Sequence, residues 1–480
     1  MDVTVFRHGQ CLSVQPELPE ITRLLRTTQR YYDAAQGRVR SRAELLLADM
    51  SMRPNGGLAW PLMRLLMQHG HQPSISTFDS PRVGPVTRAE SSLDDDFATF
   101  LQQKEHGLIA HAGGLVGIAR SIEQICAAFP ATRIYVASAN RSRIRKMGRL
   151  LQPIAGIINV MRTDALPRRI RRVTIGTFID AAHVESQFWR SDFVFLLHAP
   201  EALHERAANA LMAVDTRFRL FGFLPLDQRL STHEADWMMA TFGPARLEIP
   251  EDGIRYRPAS VAWLRIGGWP VANSADIFRL HRDGYWLCNA RNRRIAQTAR
   301  AIVAGDEAGI RGFLDQNALD HLSTLGGRRT MIVAANVTHA CQLARYLPRW
   351  QIAIAPDTVA ESLSPDERRL VADRSPGWDG GDGLIITEAA IGPVAVPQPD
   401  VLIWAMGGRY GATVLRDTLI CAAGESAPVL IVDCNDRDVI PHRNWCRKRK
   451  SAYVQAGWFE PGVDPYDGRV NAFLAPKAVT

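Results

Sequence analysis

From residue 106 onward, short apolar runs alternate with longer segments of helical periodicity. The runs at 107–110, 133–138, 173–177, 193–197 and 220–224 are too short for helices and are apolar at successive positions. A strand of that kind needs cover on both faces, which is the pattern of a parallel sheet with helices on each side. A break over 250–273, with Pro250, Pro258, Pro270 and Gly267-Gly268, precedes a second series at 330–334, 351–355, 383–387, 401–405 and 428–433. The leader is mixed, with a helical stretch expected near 20–50 and a short amphipathic helix over 57–70. A polar boundary over 87–96 carries Ser91-Ser92 and three consecutive aspartates. The pattern predicts an α/β chain with a small α+β domain (1–92) and two doubly wound parallel-sheet domains (93–266 and 267–480).

At 480 residues, more than one core is expected. The 46% hydrophobic and 22% charged content is that of a globular protein, and no apolar run approaches the length of a membrane span. Residues 1–14 show no charged start followed by an apolar stretch, so no secretory signal is expected. The seven cysteines form no C-x-x-C pair, which argues against a zinc site or disulfide framework and suits a cytoplasmic location. The net charge of +8, carried mostly by arginine, suits a phosphate-bearing partner.

The order of segments resembles the superfamily-2 helicases, of the DEAD/DEAH-box type, and in particular phage-type repair helicases with a small N-terminal domain. That resemblance implies two RecA-like domains. It also implies a phosphate loop of the form A-T-G-S-G-K-T after the first strand, where backbone amides, a lysine and a hydroxyl hold MgATP. Here the segment reads Gly107-Leu108-Ile109-Ala110-His111-Ala112-Gly113-Gly114-Leu115-Val116-Gly117. Val116 stands at the lysine position and Gly117 at the Ser/Thr position. At the D-E-A-H position, Leu197 replaces the aspartate and His198 the glutamate, with Glu201 displaced beyond Pro200. The S/T-A-T segment reads Leu224-Pro225-Leu226, without a hydroxyl. In the second domain, Arg291–Ala296 resembles the family's opening helix, 331–340 its next strand and helix, and Ile385–Thr387 its V-x-T strand. The G-x-D aspartate is replaced by Ala395. In the helix expected at 415–424, the family's glutamine is Asp417 and its finger arginines are Cys421 and Gly424.

The resemblance therefore implies that ATP and Mg²⁺ binding are lost, with no cofactor and no metal site. His111, His198 and His339 read as side chains filling vacated space, the first two close together at the emptied nucleotide cleft. Candidate phosphate contacts are Arg141, Arg143, Arg145 and Lys146 after the second strand, and Arg168, Arg169, Arg171 and Arg172 before the third. Trp445, in the basic tail, reads as a packing residue, with base stacking as the alternative. Arg449 and Tyr453 match the family's R-x-x-x-Y spacing, which also reads as structural. The expected function is a catalytically inactive, nucleic-acid-binding or scaffolding subunit of a larger complex with an active protein partner and no membrane association. The alternatives are a purely structural interaction component, or a working helicase with displaced catalytic residues.

Overall fold

The computed structural model describes Asp2 to Pro461, apart from residues 9–10, 17, 34–37, 46–55, 78–86, 162–170, 179–190, 204, 213–217, 227, 229, 231, 250–253, 267–275, 326–327, 356–357, 359–362, 375–382, 392–397, 409–414, 416–418, 423–426 and 437–439. The chain divides into two compact units between Glu251 and Asp252.

The first unit opens with β1 (Asp2–His8) and β2 (Cys11–Gln15), paired antiparallel, followed by α1 (Pro19–Leu24). Next come β3 (Arg26–Asp33) and β4 (Arg38–Leu45), an antiparallel pair, then α2 (Ala59–Gln68) and β5 (Gln72–Thr77), which pairs parallel to β1. The helix expected near 20–50 is thus a single short helix followed by a pair of strands. The Thr27-Thr28 and Tyr31-Tyr32 pairs favour the extended backbone and outweigh the helix-forming residues around them. The expected amphipathic helix is α2.

Beyond the polar boundary, α3 (Asp95–Gln103) is capped by the Asp94 carboxylate, which accepts from the Phe97 amide at 3.0 Å. The first large sheet follows: β6 (His106–His111), α4 (Gly114–Ala128), β7 (Ile134–Ser138), α5 (Arg141–Leu150), β8 (Ile158–Val160), β9 (Val173–Thr177), β10 (Phe193–Leu196), α6 (Glu205–Met212), β11 (Arg219–Pro225), α7 (Thr232–Phe242) and β12 (Arg246–Ile249). Its seven strands run parallel in the order β12-β6-β11-β10-β7-β9-β8. Alternation along the strands sorts the side chains to two buried faces. Phe193, Phe195, Phe221 and Phe223 join Ile109, Ile118 and Ile122 on one, and Val194, Leu196 and Leu220 join Leu108 and Met238 on the other. The leader packs on this unit through Val3, Val5, Leu62 and Leu66 against Trp237 and Ala240 of α7.

The second unit contains β13 (Ile254–Tyr256), β14 (Ala259–Arg265), α8 (Ile277–His281), α9 (Asn289–Ala304), α10 (Glu307–Ile310), α11 (Gln316–Thr324), β15 (Thr330–Ala334), α12 (Val337–Ala344), β16 (Gln351–Ala353), α13 (Pro365–Arg374), β17 (Leu384–Thr387), β18 (Val401–Trp404), β19 (Ile420–Ala422), β20 (Val429–Asn435) and α14 (Ile440–Gln455). Six parallel strands form its sheet in the order β14-β20-β18-β15-β17-β16, with apolar clusters on both faces. β14 lies ahead of the expected boundary at 266, inside the segment read as a break, yet it pairs residue for residue with β20. Two doubly wound parallel sheets behind a small mixed leader is the fold class expected from the sequence.

Candidate functional site: the carboxyl edges of the two sheets

In a doubly wound sheet, ligands bind outside the carboxyl ends of the strands where the strand order reverses. In the first unit that point lies beside β6, which has β11 on one side and β12 on the other. The loop from His111 to Gly114 sits there. Gly114 begins α4 at φ +55°, a left-handed conformation that glycine adopts without a steric penalty.

The His111 imidazole is buried beneath this loop. Its Nδ1 accepts the Gly113 amide hydrogen at 2.8 Å, and its Nε2 lies 3.3 Å from Ser121 Oγ on α4. Burial lowers its pKa to about 4, so the ring is neutral at pH 7. An amide can only donate, so the ring proton sits on Nε2 and points to the serine hydroxyl. The Gly113 N–H is therefore held by a side chain two residues away. Gly117 opens the helix ladder by donating to the Gly113 carbonyl. Val116, on the first turn of α4, is apolar and 37% exposed.

The neighbouring edge loops are tied to each other. The Leu226 amide donates to the His111 carbonyl at 3.1 Å, joining the ends of β11 and β6. His198, just after β10, lies 3.1 Å from Gln228 Oε1 in the loop after β11. Thus His111 and His198 stand at the ends of strands separated by β11, each on its own partners. Leu197 extends the ladder to the Ala137 carbonyl and is buried in the core. Glu201 is buried and accepts from Ser138 Oγ (3.1 Å), the Ala139 amide (2.6 Å) and Arg143 (3.4 Å). It fixes the loop after β7. Glu201→Ala would leave that amide without its acceptor, and a loss of about 2 kcal/mol in the first unit is expected by urea denaturation.

The arginine cluster expected to hold phosphate is partly engaged in the fold. Arg143 pairs with Glu201, and Lys146 is buried. Arg171 donates to the Ala155 and Ile158 carbonyls. Arg172 donates to the Cys126 and Phe129 carbonyls at 3.0 Å each, closing the C-terminal turn of α4, where a cation also suits the helix dipole. Arg141 and Arg145 are exposed on α5. Arg168 and Arg169 lie outside the described residues, as do Ala395, Asp417 and Gly424. Cys421 falls on β19, which pairs antiparallel with β13, so the helix expected over 415–424 contains a strand at that position. The β-branched Ile420 in this apolar stretch suits the pairing. Thr387 is buried, 3.5 Å from the Ala353 carbonyl.

The carboxyl edge of the second sheet holds a buried polar network that sequence reasoning did not assemble. Arg291 of α9 grips Asp436 with two nitrogens, at 2.9 and 3.3 Å, and donates to the Ala405 carbonyl at 2.7 Å. Arg449 of α14 donates to Asp433 (2.7 Å) and the Cys434 carbonyl (2.9 Å), and it also reaches the Gly408 carbonyl. The Tyr453 hydroxyl donates to the same Asp433 oxygen at 2.8 Å. Burial alone would lower both arginine pKa values; the two carboxylates outweigh it and raise them. His339 is also buried: its Nδ1 accepts from the Ala335 amide and its Nε2 is 3.1 Å from Asn292 Oδ1. Burial first, and then the Arg291 charge, lower its pKa to about 3. The R-x-x-x-Y spacing was the available signal for half of this network, and Asp433 and Asp436 at the end of an apolar strand were the other half.

Among the described residues, no group of three or more His, Cys, Asp or Glu could hold a metal ion. The loop and first helical turn at this edge, His111 to Gly117, contain no lysine, serine or threonine, and neither Leu197 nor His198 is acidic. No helix among the described residues is long and apolar enough to cross a membrane.

The class of molecule that these elements define is a chain of two successive doubly wound parallel-sheet units. No protein-family model matches it, and no curated protein does. Solved structures similar to it include T4 UvsW, at 11% identity and a TM-score of 0.32, over 96% of this chain and 99% of that one. Others are S. cerevisiae Dbp5 bound to RNA and ADP BeF3 (11% identity, TM-score 0.42, 80% and 92% of the two chains) and Dbp5 bound to Gle1 and IP6 (12%, 0.37, 80% and 93%).

Proposed function

We propose that this protein is a catalytically silent, helicase-like chain that binds nucleic acid and serves as a subunit of a larger cytoplasmic assembly with an active partner. The observation that carries the reading is the closed carboxyl edge of the first sheet. Its loop amide is held by His111, its carboxylate by the β7 loop, and apolar Val116 and Leu197 stand where phosphoryl transfer needs charge. Positioned charge supplies most of the rate in that chemistry, and removing one such group typically costs several kcal/mol of transition-state stabilisation. The RNA named with Dbp5 and the exposed Arg141 and Arg145 agree with a polyanionic partner.

Purified protein is expected to hydrolyse no ATP above background, with or without single-stranded DNA or RNA. Val116→Lys combined with Gly117→Thr is expected to restore nothing, because His111 still holds the loop amide and Leu197 supplies no carboxylate. Nucleic-acid-stimulated hydrolysis by the unmodified chain would overturn the proposal. Failure of every single- and double-stranded DNA and RNA to bind at low salt would shift it to a pure interaction platform.

A further inference from the structure

The second unit carries an aromatic array that runs from its interior to its surface. α8 passes into a π-helical turn, Arg282–Trp286. Phe278 meets Trp286 edge to face at 5.3 Å, and Trp286 lies 6.3 Å from His281. His281 stacks on Trp445 of α14 at 4.6 Å and 21°. Trp445 lies 5.5 Å from His442, which stacks on Tyr285 at 4.4 Å. The inner rings, Tyr285 and His442, are buried beside Arg291.

The outer end is open. Ile277 and Phe278 are 62% and 61% exposed, Leu287 is exposed, and His281, Trp286 and Trp445 are half-buried. Packing explains Leu280, the one buried side chain of α8, but not two large apolar neighbours turned to solvent. The charge around them is mainly positive. Arg279 and Arg282 are exposed beside the rings, and Arg443, Arg447 and Lys448 on the exposed side of α14. Asp283 pairs with Arg282, and Asp276 caps α8. None of Arg443, Arg447 and Lys448 makes an ion pair among the described residues.

We infer that this face is a stacking platform for single-stranded nucleic acid, with bases on the Phe278–Trp286–Trp445 rings and phosphates on the arginines and lysine that flank them. The inference rests on the nucleic-acid-binding reading above and gives it a location. Every base has a π-face, and rings already held by their neighbours lose little freedom when a base is added. A duplex shields its bases, so single strands are the matching partner. The excess of cations at the rim complements a polyanion.

The test uses the full chain and a fluorescent oligothymidylate of about 20 nucleotides, followed by anisotropy over a salt series, with an oligouridylate in parallel. Phe278→Ala removes an exposed ring and leaves the buried core intact. It is expected to weaken binding about ten-fold, as is Trp445→Ala. Arg443→Glu with Lys448→Glu is expected to weaken binding and to flatten the salt dependence, by about 0.7 in the log–log slope for each phosphate no longer neutralised. Photocrosslinking with an iodouracil-substituted strand is expected to label Phe278, Trp286 or Trp445. If the unmodified chain binds no nucleic acid, the general reading and the platform both fall. If it binds and the variants bind equally well, with crosslinks elsewhere, the platform alone falls. Loss of a protein partner from the Phe278→Ala variant, with oligonucleotide affinity unchanged, would assign this face to a protein and overturn the inference.

Discussion

Replacing Arg449 with alanine is expected to destabilise the second unit by about 3–5 kcal/mol, the usual cost of removing one member of a buried ion pair. The network holds two carboxylates, Asp433 and Asp436, against two guanidiniums, Arg291 and Arg449, all within the fold. Without Arg449, two buried negative charges face one positive charge, and the Cys434 and Gly408 carbonyls lose a donor. The unfolding transition of the second unit in urea reads the effect directly. Tyr453→Phe removes a single hydroxyl and is expected to cost about 1 kcal/mol. The informative control is the combined Arg449→Met, Asp433→Leu, Tyr453→Phe variant, which keeps Asp436 opposite Arg291 and balances the charge. It is expected to recover most of the loss. An Arg449→Ala variant within about 1 kcal/mol of the parent would show that the network is not an integral part of the fold.

Acid is expected to weaken both units from pH 6.5 down to about pH 4, starting above the range in which the carboxylates as a group are protonated. His111 and His339 are held neutral by burial, with pKa values near 4 and 3 against 6.5 when free. Below pH 6.5 the unfolded chain takes up a proton at each histidine that the folded chain refuses. Stability is therefore fully present above 6.5 and falls as the pH drops toward the folded values, by about 1.4 kcal/mol per pH unit for each residue. For His111 the window from 6.5 to about 4 amounts to about 3 kcal/mol. His442, its pKa also lowered mainly by burial, acts in the same direction. Urea midpoints from pH 7 to 4.5 measure this, and a His339→Gln variant is expected to flatten the slope of the second unit. A midpoint that holds steady or rises over that range would contradict the burial of these rings.

The strands of both sheets were legible where the chain is apolar at successive positions. β9 and β15 fall at the residues the pattern marks, and β6, β7, β10, β11, β16, β17, β18 and β20 lie within one or two residues of their runs. β8 and β12 were missed because edge strands are covered less fully. β12 alternates exposed and half-buried positions, so it carries no continuous apolar run. β14 was hidden by the prolines and glycines on either side, although Val261, Ala262 and Leu264 mark its core contacts. The candidate site was half legible. On the proposed reading, Val116, Gly117, Leu197 and His198 are where the resemblance implies a lysine, a hydroxyl and carboxylates, and their identities are plain in the sequence. That His111 would take the Gly113 amide, or that Arg172 would close a helix rather than face solvent, depends on how the chain folds back on itself. Periodicity does not encode such partners. A run of arginines reads the same whether its members cap carbonyls or meet phosphates.

The stitched edge of the first sheet also bears on how the protein would release what it holds. A motor drops its track because one fuel state binds the track less well than another, and that difference is the only means of biasing the equilibrium. Under the proposal of a catalytically silent chain, there is no fuel state to supply that difference. On the proposed reading its occupancy follows concentration, competition and salt alone, so it would behave as a passive clamp whose release is controlled from outside.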